Sequence, residues 1–210
     1  MLQEELFPKL KGSEPWNKGK LVGQRPPLKL NEIWAIRIRL QLQKNLFELA
    51  LFNLAIDSKL RACDLVALKV SDLFKMDGVV SRAMILQRKT QLPVQFEVTA
   101  QTRDSISALI AIRRLNGDDH VFQSRSHSTP HLSTRQYSRI VKKWVFSIGL
   151  DPKLYGTHSI RRTKPSLIYK RTKNLRAVQL LLGHTKLEST IRYLGVEVDD
   201  ALELAEATEA

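Results

Sequence analysis

The sequence predicts a mainly α-helical domain with one small antiparallel β-hairpin, an α+β architecture. Three observations carry that prediction. Apolar residues recur at helical spacing through residues 31–54, 100–115 and 133–148. Only residues 79–98 change period, as VVSRAMILQRK and PVQFEV around the polar Thr90 and Gln91, which reads as a hairpin with Lys89 at its tip. The 210-residue chain is 43% hydrophobic and 26% charged, an ordinary globular composition and not a disordered one.

Taken in order, residues 1–29 read as a basic, flexible arm. Gly12, Pro15, Gly19, Gly23, Pro26 and Pro27 interrupt every period, while Lys9, Lys11, Lys18, Lys20, Arg25 and Lys29 suit it to follow phosphates or to remain a solvated leader. Asn31 opens a helical pattern with Ile33, Trp34, Ile36 and Leu40 along it, and Leu46, Phe47, Ala50, Leu51 and Leu54 mark a second core helix. In the segment DSKLRACDLVALKVSDL, residues 57–73, Arg61 taken alone is a surface cation at a helix start. Cys63, between Leu60 and Leu65, reads as a buried thiol, and a single cysteine excludes an internal disulfide framework and fits a reducing compartment.

A helix over about 100–115 turns Ile106, Leu109 and Ile110 inward and ends at Asn116–Gly117. The loop 118–132 carries His120, His127 and His131, whose spacings of seven and four lack the carboxylate or cysteine partners of a metal site. Ser133 with Gln136 forms a capping box for a helix with Tyr137, Ile140, Val141, Trp144, Val145 and Ile148 on its core stripe. Arg135, Arg139, Lys142 and Lys143 occupy its other face, free for solvent or for phosphate.

Residues 157–194 read THSIRRTKPSLIYKRTKNLRAVQLLLGHTKLESTIRYL. His158 and Arg161 are three apart and share a helix face, with Arg162 an alternative to Arg161. Pro165 removes a backbone donor and crowds the carbonyl of Arg161, which predicts a kink. Asn174 caps a short helix bearing Val178, Leu181 and Leu182 that stops at Gly183, and Thr185 with Glu188 forms a capping box for a helix carrying Tyr193 near its end. Guanidinium and imidazole groups thus converge near a phenol, in a chain of net charge +13 and pI about 10.0 that suits a polyanion, nucleic acid first. Residues 196–210 hold six acids and no base, so the rest of the chain has 34 basic and 15 acidic residues, a balance of +19.

The order H-x-x-R, L-L-G-H and a tyrosine nine residues past that histidine resembles the tyrosine recombinases, the phage-integrase family. In that family the first catalytic arginine lies in a G-L-R-x-x-E-L segment followed by a W-x-D-like stretch, and Arg61, Asp64, Leu65 and Asp72 occupy the matching places. Lys59 stands where the family has Gly, and Asp64 where it has Glu. A family lysine in the K-T-G-K turn matches Lys89, although here the text continues Thr90-Gln91-Leu92.

The resemblance implies the tyrosine recombinase catalytic-domain fold over 30–195, a basic arm over 1–29 and an acidic tail helix over 196–210. It implies catalytic residues Arg61, Lys89, His158, Arg161, His184 and Tyr193, with no cofactor and no metal. Double-stranded DNA would be cut and rejoined through a 3′-phosphotyrosine by a site-specific recombinase. A catalytically lapsed DNA-binding accessory or regulatory protein, or a type IB topoisomerase-like relaxation, uses the same fold. Self-association as a tetramer on DNA is implied, with tail exchange through Val198, Leu202 and Leu204. The short start before the catalytic region is similar to the fimbrial phase-variation invertases, which lack a separate core-binding domain. The chain has no apolar run long enough for a signal segment or a membrane span, so no membrane association and a cytoplasmic location are expected; the resemblance implies nucleoid association and no small-molecule substrate.

Overall fold

Helix α2 (Leu46–Ser58) is the axis on which the other elements pack. Its text LFELALFNLAIDS is apolar on every side, and residues Ala50 to Ser58 are all buried, as an all-round hydrophobic helix must be. The computed structural model describes residues 24–76, 78–124, 129–195 and Glu206. Around α2 lie α1 (Leu30–Leu42), α5 (Ala100–Arg113) and α7 (Thr157–Thr172). Helix α6 (Thr134–Ser147) closes the core against α1, the short α3 (Ala62–Val66) and α7. Its stripe of Tyr137, Ile140, Val141, Trp144 and Val145 is buried as its 3.6-residue period requires, and the Ser133 side chain accepts from the Gln136 N–H at 3.1 Å. The Trp144 indole donates to Glu48 Oε2 at 2.8 Å, so its single polar atom is satisfied inside the core.

Among the described residues the strands form two small pairings where the sequence predicts one hairpin. Helix α4 (Val70–Leu73) runs into β1 (Phe74–Lys75), which pairs with β2 (Gly78–Val79). The main hairpin is β3 (Arg82–Leu86) with β4 (Pro93–Glu97), antiparallel, Ala83 facing Phe96 and Ile85 facing Val94. Ala83, Val94 and Phe96 turn inward, so only one face of the hairpin is apolar and packed. Helices α8 (Leu175–Leu182) and α9 (Leu187–Leu194) then pack on α7. No helix among the described residues is long and apolar enough to cross a membrane.

Several expectations change at this level. Trp34 is half exposed, lying with Leu30, Ile38 and Leu42 on the outer side of α1, while Ile33, Ile36 and Leu40 bury. Cys63 is only partly buried, and its Sγ lies 3.7 Å from the Asp64 carboxylate. Helix α7 runs as one helix through Pro165, whose missing N–H leaves the Arg161 carbonyl without its partner four residues on. Asn174 does cap α8, accepting from the Ala177 N–H at 2.9 Å. Thr185 does not cap α9: Lys186 is the capping position, without a side-chain bond, and the Thr185 carbonyl accepts instead from Gln179 Nε2 at 3.2 Å. His127 and the region 1–23 of the expected arm lie outside the described residues, as does the tail apart from Glu206.

Residues 24–29 lie along α7. Leu28 is buried, and its N–H donates to Thr163 Oγ1 at 3.0 Å. The Gln24 side chain donates to the Arg192 carbonyl, Arg25 Nη1 to the Tyr155 carbonyl, and Arg162 Nη1 to the Arg25 carbonyl at 2.8 Å.

A buried ionic cluster joins α2, β4 and α7. Lys59, at the end of α2, adopts a left-handed backbone (φ 56°), the conformation that glycine tolerates best. Its Nζ donates to Glu97 Oε2 and to the Asp57 carbonyl, both at 2.6 Å. Lys164 Nζ pairs with Asp57 Oδ1 at 2.7 Å and with Glu97 Oε1 at 2.6 Å. Asp57 Oδ2 accepts from Thr99 and Thr102. Two cations thus balance two carboxylates, although at Lys59 burial outweighs the pairing and its pKa stays lowered.

Candidate active site

Three helix ends build the site. The first two turns of α7 present His158, Arg161 and Arg162; the turn after α8 presents His184; the last turn of α9 presents Tyr193. Gly183 ends α8 with φ 64°, a left-handed cap that reverses the chain and sends His184 back toward α7. Thr190, on the buried side of α9, then holds His184 Nδ1 through its Oγ1 at 3.1 Å. Arg61 arrives from far along the chain as the capping residue of α3.

The Tyr193 ring is the meeting point. His184 stands edge-to-face against it, centroids 5.3 Å apart. The Arg161 and Arg162 guanidinium carbons lie 5.9 and 5.4 Å from its centroid. The Tyr193 hydroxyl is buried and without a hydrogen-bond partner among the described residues. Burial pushes its pKa up to about 12, against the pull of Arg161, Arg162 and Arg61, so the resting group is the neutral phenol. Beside it opens a cavity of about 680 Å³ whose wall includes Arg25, His158, Arg162, Lys186, Glu188, Arg192 and Tyr193, four cations and one carboxylate beside an imidazole and the phenol ring. Such a wall suits a phosphate.

Arg161 and Arg162 are both buried, and the Nε of each lacks a partner among the described residues. Arg161 Nη2 donates to the Leu182 carbonyl at 3.1 Å. Partial desolvation first, and then the neighbouring arginines, lower the pKa of His158, whose ring still reaches solvent at the mouth of the cleft. The same causes, burial followed by Arg161 and Arg61, bring His184 down to about 4. Both imidazoles are therefore neutral at neutral pH, each able to accept one proton or donate one hydrogen bond.

This has a consequence for acid stability. Below pH 6.5 the unfolded chain gains a proton at His184 that the folded chain refuses until about pH 4. Stability is therefore whole above 6.5 and declines as pH falls toward 4, and His184→Gln should flatten that part of the melting-temperature profile. An unchanged slope in the variant would contradict this assignment.

The structure brings together Arg61, His158, Arg161, His184 and Tyr193, and leaves Lys89 apart. Lys89 is exposed in the turn Arg88–Thr90 and makes no hydrogen bond or ion pair with the described residues. The residue that links this turn to the cluster is Gln87, which nothing local in the sequence marks. It is 1% exposed and accepts from Arg61 Nη1. Arg25, read as part of a basic arm, also belongs to the cleft wall.

Comparison with known proteins agrees with this geometry. The chain is 27% identical over 162 residues to the probable integrase/recombinase YoeC of Bacillus subtilis, covering 75% of this chain and 82% of that one. It is 26% identical to the tyrosine recombinase XerC of Thermodesulfovibrio yellowstonii over 74% of this chain, and spans 52% of that relative's length. Among solved structures, the XerA recombinase superposes with a TM-score of 0.70 at 16% identity, over 91% of this chain and 69% of that one. The XerH recombinase bound to its difH substrate gives 0.67 at 17% identity, over 87% and 55%. These likenesses establish the fold as that of tyrosine recombinase catalytic domains. The family model described as "Phage integrase family" matches residues 31–199, which spans every element from α1 to α9, and the chain therefore belongs to the phage integrase family of tyrosine recombinases.

Proposed function

We propose that this chain is a site-specific DNA recombinase that cuts and rejoins strands through a 3′-phosphotyrosine. The observation that carries the reading is a tyrosine held between two buried arginines and a neutral histidine at the edge of a cationic cleft. A phosphodiester repels nucleophiles, and negative charge grows on its non-bridging oxygens during attack, so permanently charged planar donors aimed at it lower the barrier. Arg61 and Arg161 supply that clamp, and His184 donates a hydrogen bond to the same oxygens. The Tyr193 oxygen attacks phosphorus and gives its proton to His158 or to water, while the bond to the 5′ oxygen breaks. Lys89 protonates that leaving oxygen, which requires its turn to close on the cleft when DNA is bound. Reversal with a new 5′-hydroxyl rejoins the strand.

Duplex DNA as the partner is supported by the relatives' own complexes, among them XerH on difH and a lambda integrase dimer on a core site. Within the chain we assign 1–29 as a basic arm, 30–195 as the catalytic domain and 196–210 as an acidic tail. The tail suits a protein surface better than DNA, and we assign Val198, Leu202 and Leu204 to exchange between protomers of a tetramer on DNA. Deleting 198–210 is then expected to leave single-site binding intact and to abolish cooperative assembly. Full assembly by the truncated chain would remove this role.

The test is a nicked duplex carrying the sequence that the chain selects from a random pool. The chain should form a covalent adduct at the 3′ side of the break, in the presence of chelator as in its absence. Failure to form any adduct, or restoration only by magnesium, would overturn the reading.

A further inference from the structure

Gln87 lies beneath the cluster, where β3 enters its turn, and both ends of its carboxamide are used. Oε1 accepts from Arg61 Nη1 and from Thr90 Oγ1, the latter at 2.8 Å. Nε2 donates to the Leu182 carbonyl at 3.3 Å. Chemistry fixes which end is which, since a guanidinium only donates and a carbonyl only accepts. The same Leu182 carbonyl receives Arg161 Nη2 at 3.1 Å. Arg61, Gln87, the Leu182 carbonyl and Arg161 therefore form one hydrogen-bonded line between groups a hundred residues apart in the chain. Gly183 completes the fit: a Cβ there would stand 2.9 Å from Gln87 Nε2.

We propose that Gln87 is a positioning residue that sets the separation of the two arginines and seats the turn carrying His184. The proposal rests on the reading of this site as a phosphoryl-transfer centre. Two guanidiniums in a buried cleft repel each other, and something must hold them at the spacing a phosphate needs. A carboxylate would hold them and cancel their charge. An amide holds one directly and the other through a carbonyl, leaving both charges for the substrate. Through Thr90 the same amide anchors the turn that carries Lys89.

Gln87→Leu removes the link at similar volume. On the nicked duplex it should slow adduct formation at saturating DNA by about 100-fold, the scale of a misplacement near 1 Å, with noncovalent affinity unchanged. In ¹⁵N relaxation of the DNA-free protein, the Arg61 Nε–H should become mobile. Gln87→Glu gives a distinct signature. Ionised, the new carboxyl quenches Arg61 and faces the Leu182 carbonyl; protonated, it accepts and donates as the amide does. Paired with Arg61, the carboxyl is held at or below the ordinary carboxylate range, so its rate relative to wild type should stay low throughout about pH 8 to 5.

A Gln87→Leu chain that cleaves at the wild-type rate, or that loses melting temperature and DNA affinity in equal measure, overturns the proposal. If that variant does not fold, a wild-type rate for Gln87→Glu across that pH range overturns it instead. Should the wild-type chain form no adduct, the recombinase reading falls separately, and the Arg61 relaxation measurement still decides the positioning role.

Discussion

Tyr193→Phe is expected to abolish the covalent adduct while raising the melting temperature. Loss of the adduct follows from removal of the attacking oxygen, and DNA affinity should stay close to wild type because the cationic wall is untouched. The gain in stability has a separate cause. The Tyr193 hydroxyl is buried without a partner among the described residues, and an unsatisfied polar atom of this kind costs about 1 kcal/mol or more. Phenylalanine keeps the ring against His184 and removes the cost. A gel resolving protein–DNA adducts and a thermal melt check both parts. Persistent adduct would move the chemistry to another phenol, but Tyr137, Tyr155 and Tyr169 are all buried, and burial alone pushes the Tyr137 pKa far up.

Arg161→Met should show the same opposition. It preserves the apolar stem and deletes a buried charge whose Nε has no partner among the described residues. Replacing a poorly compensated buried ion by an apolar group of similar volume is neutral or stabilising in general, so the melting temperature should hold or rise. Adduct formation should fall by 10²–10³-fold or more, about 3–4 kcal/mol of lost transition-state stabilisation. Arg161→Lys should recover only part of that loss, since an ammonium cannot offer two parallel bonds. Full activity in either variant would leave Arg61 and Arg162 as the clamp.

The parts of this molecule legible in the sequence are those set by short spacings. The stripe on α6, the shared face of His158 and Arg161, and the stop at Gly183 each depend on neighbours within a turn or two. What the sequence hides depends on partners far along the chain. Lys59 looked like a strained replacement for glycine, and only Glu97 shows how its charge is balanced. Leu28 sat in a segment without period, yet Thr163 receives its N–H. Gln87 resembled any polar strand end until Arg61 and Leu182 were placed on either side of it. Thr185 does not cap although its motif is intact, because α9 begins one residue later, with Lys186 at the capping position. Trp34 belonged to a helical pattern, but the pattern could not say which side of α1 the core would occupy.

Residues 24–29 also have a mechanical meaning. Gln24 is tied to the carbonyl of Arg192, next to Tyr193, and Arg25 to Tyr155 and Arg162 at the base of α7. Tension applied to the backbone ahead of Gln24 therefore loads α9 and α7 before it reaches α1 or the core. The Gln24 bond is exposed and the two at Arg25 are part-buried, whereas Leu28 is anchored in the interior. The strap would peel from α9 first and stop at Leu28, loosening the helix that carries Tyr193 while the rest of the fold stayed closed.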